Sequence, residues 1–380
     1  MEEPKTQRIN WTKPGWRRWL LIGTGAAVVA AVLVPLGLVL MAWSRVERVD
    51  FDPVSAREQL AAIDTPASIV EVDAVLENPV LLETTTTVEE SIQESPWILP
   101  ETTTTTTVPY PAPPDVPESA PVADSIHNAI LIIGSDRIIA GSRRADVIML
   151  ALIPSDGSNM ILVSLPRDLY LENPCGGGRA RINGALNGCG GVSGPNLLAV
   201  VVEDYTGIPI DHFVMFDYDG FAEIIDVAGG VEVCVNYPTF DTNTTPDLDL
   251  PAGCSTLGGK MALAWVRSRK TRQIVDGVEQ MVSGVGDHTR NARQRDIVLQ
   301  MLRKLSGFSS PTEIVSLANA ASGTFTLDSG LSLTEAVGIA WDLRGKAGSV
   351  RIPHIRVTSY TTESGAWVLI PTEPFSTTVG

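Results

Sequence analysis

The sequence lacks the signatures of several common enzyme classes. It contains neither the Gly-x-Ser-x-Gly turn that carries a nucleophilic serine nor the glycine-rich loop and lysine of a P-loop nucleotidase. Histidine is scarce, with four residues scattered along the chain, and His212 alternates with apolar residues in a way that favours a packed position. Because no serine or cysteine is a convincing nucleophile, the sequence favours a reaction in which a group passes directly from donor to acceptor, without a covalent enzyme intermediate. It also has no internal repeat.

Charged residues are missing altogether from Leu20 to Trp43, a run of apolar and small residues. About 20 helical residues cross the hydrocarbon of a bilayer. The run is too long for a signal-peptide core, and no small-residue cleavage site clearly follows it. Residues 1–19 carry five basic side chains against two acidic ones, which is typical of a cytoplasmic flank. We therefore expect a cytoplasmic tail at 1–19, a transmembrane helix at 20–43 and every later residue outside the cell; a buried core helix is the alternative.

Basic residues are nearly absent from residues 50–124, where Arg57 stands against fifteen acidic residues. This stretch carries most of the net charge of −16, and it also holds two threonine runs and a proline-rich segment. Such a composition cannot bury enough apolar surface to offset the entropy lost on ordering. We expect residues 44–124 to be an acidic, Thr/Pro-rich extracytoplasmic linker. Within it, Pro53–Leu60 and Ile69–Leu82 have enough apolar residues for local helix or strand.

Cysteine is scarce too, and all four cysteines lie in the part predicted to be outside the cell. An even number of cysteines in an oxidising compartment favours two disulfides. Of the three possible connectivities we favour Cys175–Cys189 and Cys234–Cys254, because each pair closes a short loop that contains glycine or proline. Zinc is the alternative, but the pairs lack Cys-x-x-Cys spacing and no histidine is near them in sequence.

Strand and helix patterns alternate from Ser125 to Gly380. Runs rich in branched apolar residues predict strands at Ala129–Gly134, Val147–Ile153, Met160–Leu165, His212–Asp217 and Val231–Val235. Helical periodicity predicts helices at Pro195–Thr206, Tyr218–Ala228, Gly259–Arg267, Thr289–Leu305, Pro311–Ala321 and Leu333–Leu343. The alternation predicts an α/β domain at 125–380, with a central, mostly buried mixed sheet flanked by helices.

Arginine clusters stand out in this acidic chain. Arginines gather at Arg143-Arg144, at Arg167, at Arg267-Ser268-Arg269 and between Arg290 and Arg295, each at the end of an apolar segment. Arginine stays charged at any working pH and grips phosphate through two parallel hydrogen bonds. The clusters therefore predict a polyphosphate site, although cations at a helix C-terminus are also ordinary partners of the helix dipole.

Two aspartates lie beside these arginines. Asp136 follows the predicted strand Ala129–Gly134, and Asp146 leads into the next strand. Ligands of open α/β sheets bind beyond the carboxyl ends of the strands, and Mg²⁺ is usually held by one or two carboxylates plus waters and phosphate oxygens. The pair is therefore a candidate metal site; a turn-forming role is the alternative for each aspartate taken alone.

The last cluster falls on a predicted helix. Arg290 and either Arg293 or Gln294 continue the apolar stripe of Ile297 and Met301 toward the N-terminal end of that helix. A solvated arginine belongs on the opposite face, so burial against a ligand is the better interpretation. Helix N-termini also favour anions.

These motifs, in this order, resemble the LytR-CpsA-Psr (LCP) family of cell-wall glycopolymer transferases. The resemblance covers most of Ser125 to about Leu305, and a single N-terminal membrane anchor also fits it. After Ile130–Asp136, the matching segments are SRRADVIML, ILVSLPRDLYL, RINGAL, GGV, TGIPIDHFVMFDYDGFAEIIDVAGGVEVCV, LPAGCSTLGGKMALAWVRSRK and DHTRNARQRDIVLQML. One departure is Arg181, where the family usually has lysine.

The resemblance implies an LCP-type α/β/α sandwich that transfers a phosphoglycosyl unit from a polyprenyl-pyrophosphate-linked glycan to peptidoglycan and releases polyprenyl phosphate. Carried over to this sequence, Asp136 and Asp146 would hold Mg²⁺ or Mn²⁺. The residues implied to grip the pyrophosphate are Arg144, Arg167, Arg267 and Arg269, supported by Arg181, Arg290, Arg293 and Gln294. The family core would span residues 128–305, and nucleic acid is not expected among the partners.

Two other functions stay open at this point. The same site could serve a pyrophosphatase or phosphatase that acts on the same lipid, with water in place of the sugar hydroxyl. A membrane-anchored, wall-binding regulator without enzymatic activity is the third possibility.

Overall fold

A computed structural model describes residues 37–64, 112–119, 125–135, 143–282, 287–307, 325–343 and 349–380, together with positions 316 and 319. Of the predicted transmembrane run, only residues 37–43 are described, and they are helical. None of the helices in these ranges combines the length and the apolar character needed to cross a bilayer. The predicted helix Pro311–Ala321 lies outside the described residues except for the two single positions.

The strands are β1 (Glu47–Val49), β2 (Ile126–Ser135), β3 (Ala145–Pro154), β4 (Ile161–Ser164), β5 (Tyr170–Asn173), β6 (Gly178–Arg181), β7 (His212–Asp217), β8 (Val231–Val235), β9 (Thr239–Asp241), β10 (Leu248–Leu250), β11 (Gly253–Leu257), β12 (Arg272–Val275), β13 (Val278–Met281), β14 (Phe325–Asp328), β15 (Val357–Thr361) and β16 (Trp367–Pro371). The helices are α1 (Pro53–Asp64), α2 (Gly194–Thr206), α3 (Tyr218–Val227), α4 (Gly259–Arg267), α5 (Asp287–Gly307), α6 (Leu333–Leu343) and α7 (Phe375–Val379), with a 3₁₀ helix at Ile182–Asn187.

A six-stranded sheet in the order β1-β14-β7-β2-β3-β4 forms the centre. β2 lies parallel to β7 and antiparallel to β3, so the sheet is mixed, as predicted. Alternate residues of β3 lie on opposite faces of the sheet, because successive side chains of a strand point in opposite directions. Ile148 and Leu150 pack with α2, whereas Val147 and Met149 pack with Leu299 of α5. Helices therefore cover both faces, and the predicted α/β class is confirmed.

The predicted elements that fall on described residues are present. The five predicted strands correspond to β2, β3, β4, β7 and β8, and the helices correspond to α2, α3, α4, α5 and α6. His212 is 7% exposed, which confirms the packed position predicted for it. Its Nδ1 lies 3.2 Å from Asp328 Oδ2 and its Nε2 lies 3.2 Å from Glu335 Oε1. These two partners raise its pKa, with the hydrogen bond to Asp328 as the larger cause.

A smaller sheet region extends from α3 to α5. It contains the sheet β10-β9-β12-β13 and the antiparallel pair β8–β11, which share a second apolar cluster with α3, α4 and α5. A disulfide joins Cys234 to Cys254, directly opposite each other on β8 and β11. The other joins Cys175 to Cys189. The favoured connectivity is confirmed, and since both pairs are bonded, these sulfurs do not form the alternative zinc site.

Two parts of the predicted linker belong to the folded domain. β1 pairs in parallel with β14, and α1 places Ala56 and Leu60, each 2% exposed, in the core beside α2. Residues 112–119, here called the strap, are bound to the same domain: Arg179 donates to the carbonyl of Pro114 at 2.6 Å, and Ser119 Oγ accepts from the Phe375 amide at 2.7 Å. The local helix or strand expected at Pro53–Leu60 is present as α1. The strand β1 and the bound strap depart from the linker expected at 44–124, because composition averaged over a long acidic stretch does not report a three-residue strand or a segment held by two hydrogen bonds.

Candidate functional site

A polar cavity of about 370 Å³ opens at the edge of the sheet where β2 and β7 end. Because β3 runs antiparallel to β2, its first residues lie at that same edge. The wall is completed by the end of α4 and the turn after it, by Gln294 of α5, and by Asp241 with the residues that follow β9. The lining residues are Asp146, Tyr218, Asp241, Asn243, Thr244, Thr245, Ala264, Val266, Arg267, Arg269, Lys270 and Gln294.

Asp146 is fixed in this wall by two donors. Its Oδ1 accepts a hydrogen bond from Arg167 Nη1 at 2.5 Å, and its Oδ2 accepts one from the Tyr218 hydroxyl at 2.8 Å. Arg167 follows the end of β4 and Pro166, so the fixed backbone angle of proline sets the turn that carries it. The pairing is charge-assisted and half-buried, which makes it a strong local contact.

Asp168 orients two of the predicted arginines. Its side chain is buried, with Oδ2 at 3.4 Å from Arg167 Nε and Oδ1 at 3.4 Å from Arg181 Nε. Arg181 also donates to the carbonyl of Trp367 at 2.7 Å. A buried carboxylate between two guanidinium groups limits their freedom and keeps both at one end of the sheet. This role of Asp168 was not predicted; its signal in the sequence is the position of the aspartate directly after Arg167.

The turn after α4 presents Arg267 and Arg269 to the cavity. Both arginines are exposed, whereas Ser268 between them is 1% exposed. Ser268 Oγ donates to Asp241 Oδ2 at 2.6 Å, and the Lys270 amide donates to the same oxygen at 3.0 Å. The buried carboxylate of Asp241 therefore fixes the backbone of this turn through two hydrogen bonds, and Arg267 and Arg269 line the cavity.

Asp241 is ionised at neutral pH. Burial acts to raise its pKa, but hydrogen bonds from Ser268, from the side chain and amide of Asn243 and from the Lys270 amide together lower it to about 2. A carboxylate with such a low pKa is a poor general base near pH 7. Its role is to position the arginine turn. Asp241 was not among the predicted site residues, because its partners Ser268 and Lys270 are distant in the sequence.

Arg293 and Gln294 of α5 have different surroundings. Gln294 is 6% exposed and lines the polar cavity. Arg293 is 8% exposed, lies over the Trp265 ring at 3.8 Å, and donates to the Trp265 carbonyl and Thr271 Oγ1, each at 3.2 Å. Burial lowers its pKa to about 10, against an opposing effect of Asp241. Arg293 therefore connects α5 to the end of α4. Its contact with phosphate stays a prediction.

A second cavity, about 290 Å³ and apolar, lies between the central sheet and helices α3 and α5. Its wall consists of Ile130, Ile132, Ala151, Ile153, Met160, Val214, Phe216, Phe221, Ile224, Ile225, Val298, Met301 and Phe325. A narrow space of about 10 Å³, here called the neck, shares residues with both cavities. The neck is lined by Val147, Phe216, Tyr218, Phe221, Val266, Gln294 and Val298. The two cavities are therefore neighbours, and a polar group in one would lie next to a hydrocarbon chain in the other.

The family model described as the LytR_cpsA_psr family matches residues 112–376, which is most of the chain. The chain belongs to the LytR-CpsA-Psr family.

Curated relatives and solved structures agree with this family. The chain is 32% identical over 223 residues to the probable cell wall biosynthesis protein LcpB of Corynebacterium glutamicum, covering 58% of this chain and 49% of that protein. It is 33% identical over 186 residues to the polyisoprenyl-teichoic acid–peptidoglycan teichoic acid transferase TagU of Oceanobacillus iheyensis, covering 48% of this chain and 53% of that protein. The chain thus spans about half the length of these two relatives.

A LytR-Csp2A-Psr enzyme from Actinomyces oris has the same fold, with a TM-score of 0.55 and 28% identity over 70% of this chain and 93% of that one. The crystal structure of B. subtilis TagV gives a TM-score of 0.54 at 24% identity, over 66% of this chain and 92% of that one. The second likeness supports the LCP fold alone.

The structure brings together a large part of the predicted LCP site. Asp146, Arg267, Arg269 and Gln294 line the polar cavity, and Arg167 is bound to Asp146. Arg181 reaches the same end of the sheet through Asp168. Arg144 is exposed, two residues before Asp146. Asp136 and the side chain of Arg290 lie outside the described residues.

Proposed function

We propose that this protein transfers a glycopolymer from a polyprenyl-pyrophosphate carrier to peptidoglycan. The observation that carries the proposal is the pair of adjoining cavities, one lined by polar and charged side chains that include Arg267 and Arg269, the other by apolar side chains. A polyprenyl pyrophosphate has the same division, since an anionic head is joined directly to an apolar chain. Relatives named teichoic acid transferases to peptidoglycan support the same class of reaction.

The arginines of the polar cavity supply the binding and charge stabilisation that this reaction needs. Phosphoryl transfer places developing charge on phosphate oxygens, and catalysis consists mainly of positioning and electrostatic stabilisation. Arg267 and Arg269 face the cavity from the rigid turn above Asp241, so little reorganisation is needed when the anion binds. Arg167 aligns Asp146 from the other side. The apolar cavity would hold the first isoprene units and exclude water from the leaving phosphate.

A divalent cation is part of the proposal. The hard oxygen donors of Asp146 lie in the cavity wall, oriented by two hydrogen bonds, and suit Mg²⁺ or Mn²⁺ together with Asp136. When bound, such a cation would neutralise charge on the pyrophosphate oxygens. The residues described here would then hold the carboxylate in place and bind the remaining phosphate oxygens.

The proposal also includes the cellular position of the protein. Leu20–Trp43 would span the cell membrane, with residues 1–19 in the cytoplasm and the cavities outside. Both substrates of the proposed reaction, a lipid-linked glycan and peptidoglycan, are available on that side. The two disulfides agree with an oxidising compartment.

The test is an assay that follows both products. The protein is incubated with a labelled polyprenyl-pyrophosphate glycan, peptidoglycan and Mg²⁺, and both wall-linked label and polyprenyl phosphate are measured. Wild type should form wall-linked label, and Arg267→Ala should lower the rate by about 100-fold or more, since it removes a charge from the phosphate cavity. Arg356→Ala is the matched control, because Arg356 is highly exposed and pairs only loosely with Glu373 at 3.5 Å.

The two alternatives give different results in the same assay. Polyprenyl phosphate release without wall-linked label would identify a pyrophosphatase or phosphatase and contradict the transfer. A regulator without activity would yield neither product, and Arg167→Ala would then leave its cellular function intact. Loss of the cellular function in a folded Arg167→Ala variant would instead exclude the regulator.

A further inference from the structure

Tyr218 occupies the boundary between the two cavities. It is the first residue of α3 and follows Asp217, whose side chain caps the helix by accepting from the Gly220 amide at 2.8 Å. Asp217 is also the last residue of β7 and pairs with Ser135 at the end of β2. Tyr218 is therefore fixed by both a strand end and a helix start. It lines the polar cavity and the neck alike.

The hydroxyl and the ring of Tyr218 contact different parts of the proposed machinery. The hydroxyl donates to Asp146 Oδ2 at 2.8 Å, on the oxygen that Arg167 does not use. The face of the ring lies 4.7 Å from the guanidinium carbon of Arg267, which is within the range of a cation–π contact. One side chain thus touches both the carboxylate proposed to hold the metal and an arginine proposed to bind the pyrophosphate.

The ring also limits the neck. The other neck side chains are aliphatic or aromatic except for Gln294, and Phe216 stacks on Phe221 with centroids 5.6 Å apart. The head group of a prenyl pyrophosphate and its first isoprene unit would meet at this point. A tyrosine suits the position, because its ring is apolar and its hydroxyl is polar.

We propose that Tyr218 is a positioning residue that sets the distance and orientation of Asp146 and Arg267 across the phosphate site, and that its ring forms part of the binding surface for the first isoprene unit. The inference rests on the proposed function for its substrate class. It assigns two separable roles: the hydroxyl acts on the carboxylate, and the ring acts on Arg267 and on the lipid.

Two substitutions separate these roles. Tyr218→Phe removes the hydroxyl and keeps the ring, so kcat should fall by on the order of 10-fold, the usual effect of losing a partner that orients a metal-binding side chain. The KM for the lipid should stay within about 2-fold. Tyr218→Leu removes both, so it should show the same loss in kcat and also raise KM by about 3-fold to 10-fold, as expected for a lost cation–π and aromatic contact.

The matched control is Tyr205→Phe. Tyr205 is 5% exposed and its hydroxyl has no hydrogen-bond partner among the described residues. It lies in α2, in contact with Phe375 and away from both cavities. Its kcat and KM should equal those of wild type. Thermal unfolding midpoints of all variants show which of them are folded at the assay temperature.

A second measurement does not depend on transfer. Geranylgeranyl pyrophosphate is titrated into each protein in a calorimeter; Tyr218→Phe should bind within about 2-fold of wild type, and Tyr218→Leu should bind about 3-fold to 10-fold more weakly. Wild type that binds this probe but transfers no glycan would contradict the proposed function and leave the binding comparison to decide the role of the ring. Tyr218→Leu that binds like wild type, or folded Tyr218→Phe with an unchanged kcat, would overturn the inference.

Discussion

Asp168 and Asp241 are buried carboxylates that position the arginines of the site. Asp168 lies between Arg167 and Arg181, and Asp241 holds the turn that carries Arg267. At the scale of single residues, the polar cavity therefore depends on carboxylates that hold its arginines in place, one of which, Asp241, is also part of the lining. The arginines stay outward because their backbone and neighbouring side chains are fixed from inside.

Asp241→Asn should lower the free energy of unfolding by about 2 kcal/mol at pH 7, since the pKa of this carboxyl falls from 3.8 in the unfolded chain to about 2 in the fold. Because the folded-state pKa is depressed, the stabilisation is present above pH 3.8 and is lost as the pH falls toward 2. The difference between wild type and variant should shrink over that interval. Urea denaturation at pH 7, 4 and 2.5 measures it.

Asp249→Asn is the control for this experiment, because Asp249 lies on the neighbouring strand β10 and is exposed. It should change the unfolding free energy by no more than about 0.5 kcal/mol at any pH. If the loss of unfolding free energy in Asp241→Asn stayed constant down to pH 2.5, the stabilisation would come from the packing of this side chain and not from its charge.

At the scale of elements, the close approach of β2, β3 and β7 shapes the neck. Gly134 of β2 has no room for a side chain: a Cβ there would lie 2.9 Å from Val147 Cβ and 3.0 Å from Phe216 Cε2. Val147 and Phe216 both line the neck. The close spacing of these strands therefore sets the positions of Val147 and Phe216, and with them the width of the neck.

Gly134→Ala should cost about 1–3 kcal/mol of unfolding free energy, the usual effect of overpacking a core. It should also weaken the binding of geranylgeranyl pyrophosphate, because the displaced Val147 and Phe216 move within the neck. Gly176→Ala is the control, since a Cβ at Gly176 meets no atom within 4 Å. Calorimetric titration and urea denaturation follow both effects. Unchanged binding in a destabilised Gly134→Ala would show that the neck is not on the path of the lipid.

The sequence predicted these elements well where apolar periodicity was strong. The runs of β2, β3 and β7 and the motif-bearing helices were recognised because burial demands a regular pattern of apolar residues. The arginines were recognised because charge is unusual at the end of such a run. Asp241, Tyr218 and the lining of the apolar cavity were not, since their contacts join segments far apart in the chain, and no local spacing reports such contacts.

At the scale of the whole molecule, the domain begins earlier than composition indicated. β1 extends the central sheet through β14, and α1 fills a gap beside α2. Arg57 of α1 also pairs with Glu203 at 3.0 Å and with Asp204. The family match starts at residue 112, so this N-terminal addition lies outside the matched range.

Leu60→Ala should lower the unfolding free energy by about 2–5 kcal/mol, because it removes a buried side chain and leaves a cavity between α1 and α2. Val54→Ala in the same helix is the control: Val54 is 71% exposed, so its change should stay within about 0.5 kcal/mol. Urea denaturation followed by tryptophan fluorescence compares the two. Equal stability of both variants would mean that α1 contributes nothing to the cooperative domain.

The pairing of β1 with β14 also fixes the start of the domain close to the helical residues 37–43. Only Ser44, Arg45 and Val46 separate the helical residues 37–43 from β1, and four steps of chain reach at most about 14 Å. If Leu20–Trp43 crosses the membrane as proposed, β1 starts no further than about 14 Å from the end of the membrane helix, and the domain is held near the membrane surface. Residues 65–111 leave α1 and return at the strap on the same domain, so lengthening them would not carry the cavities further out. Insertions between Trp43 and Glu47 would lengthen this connection.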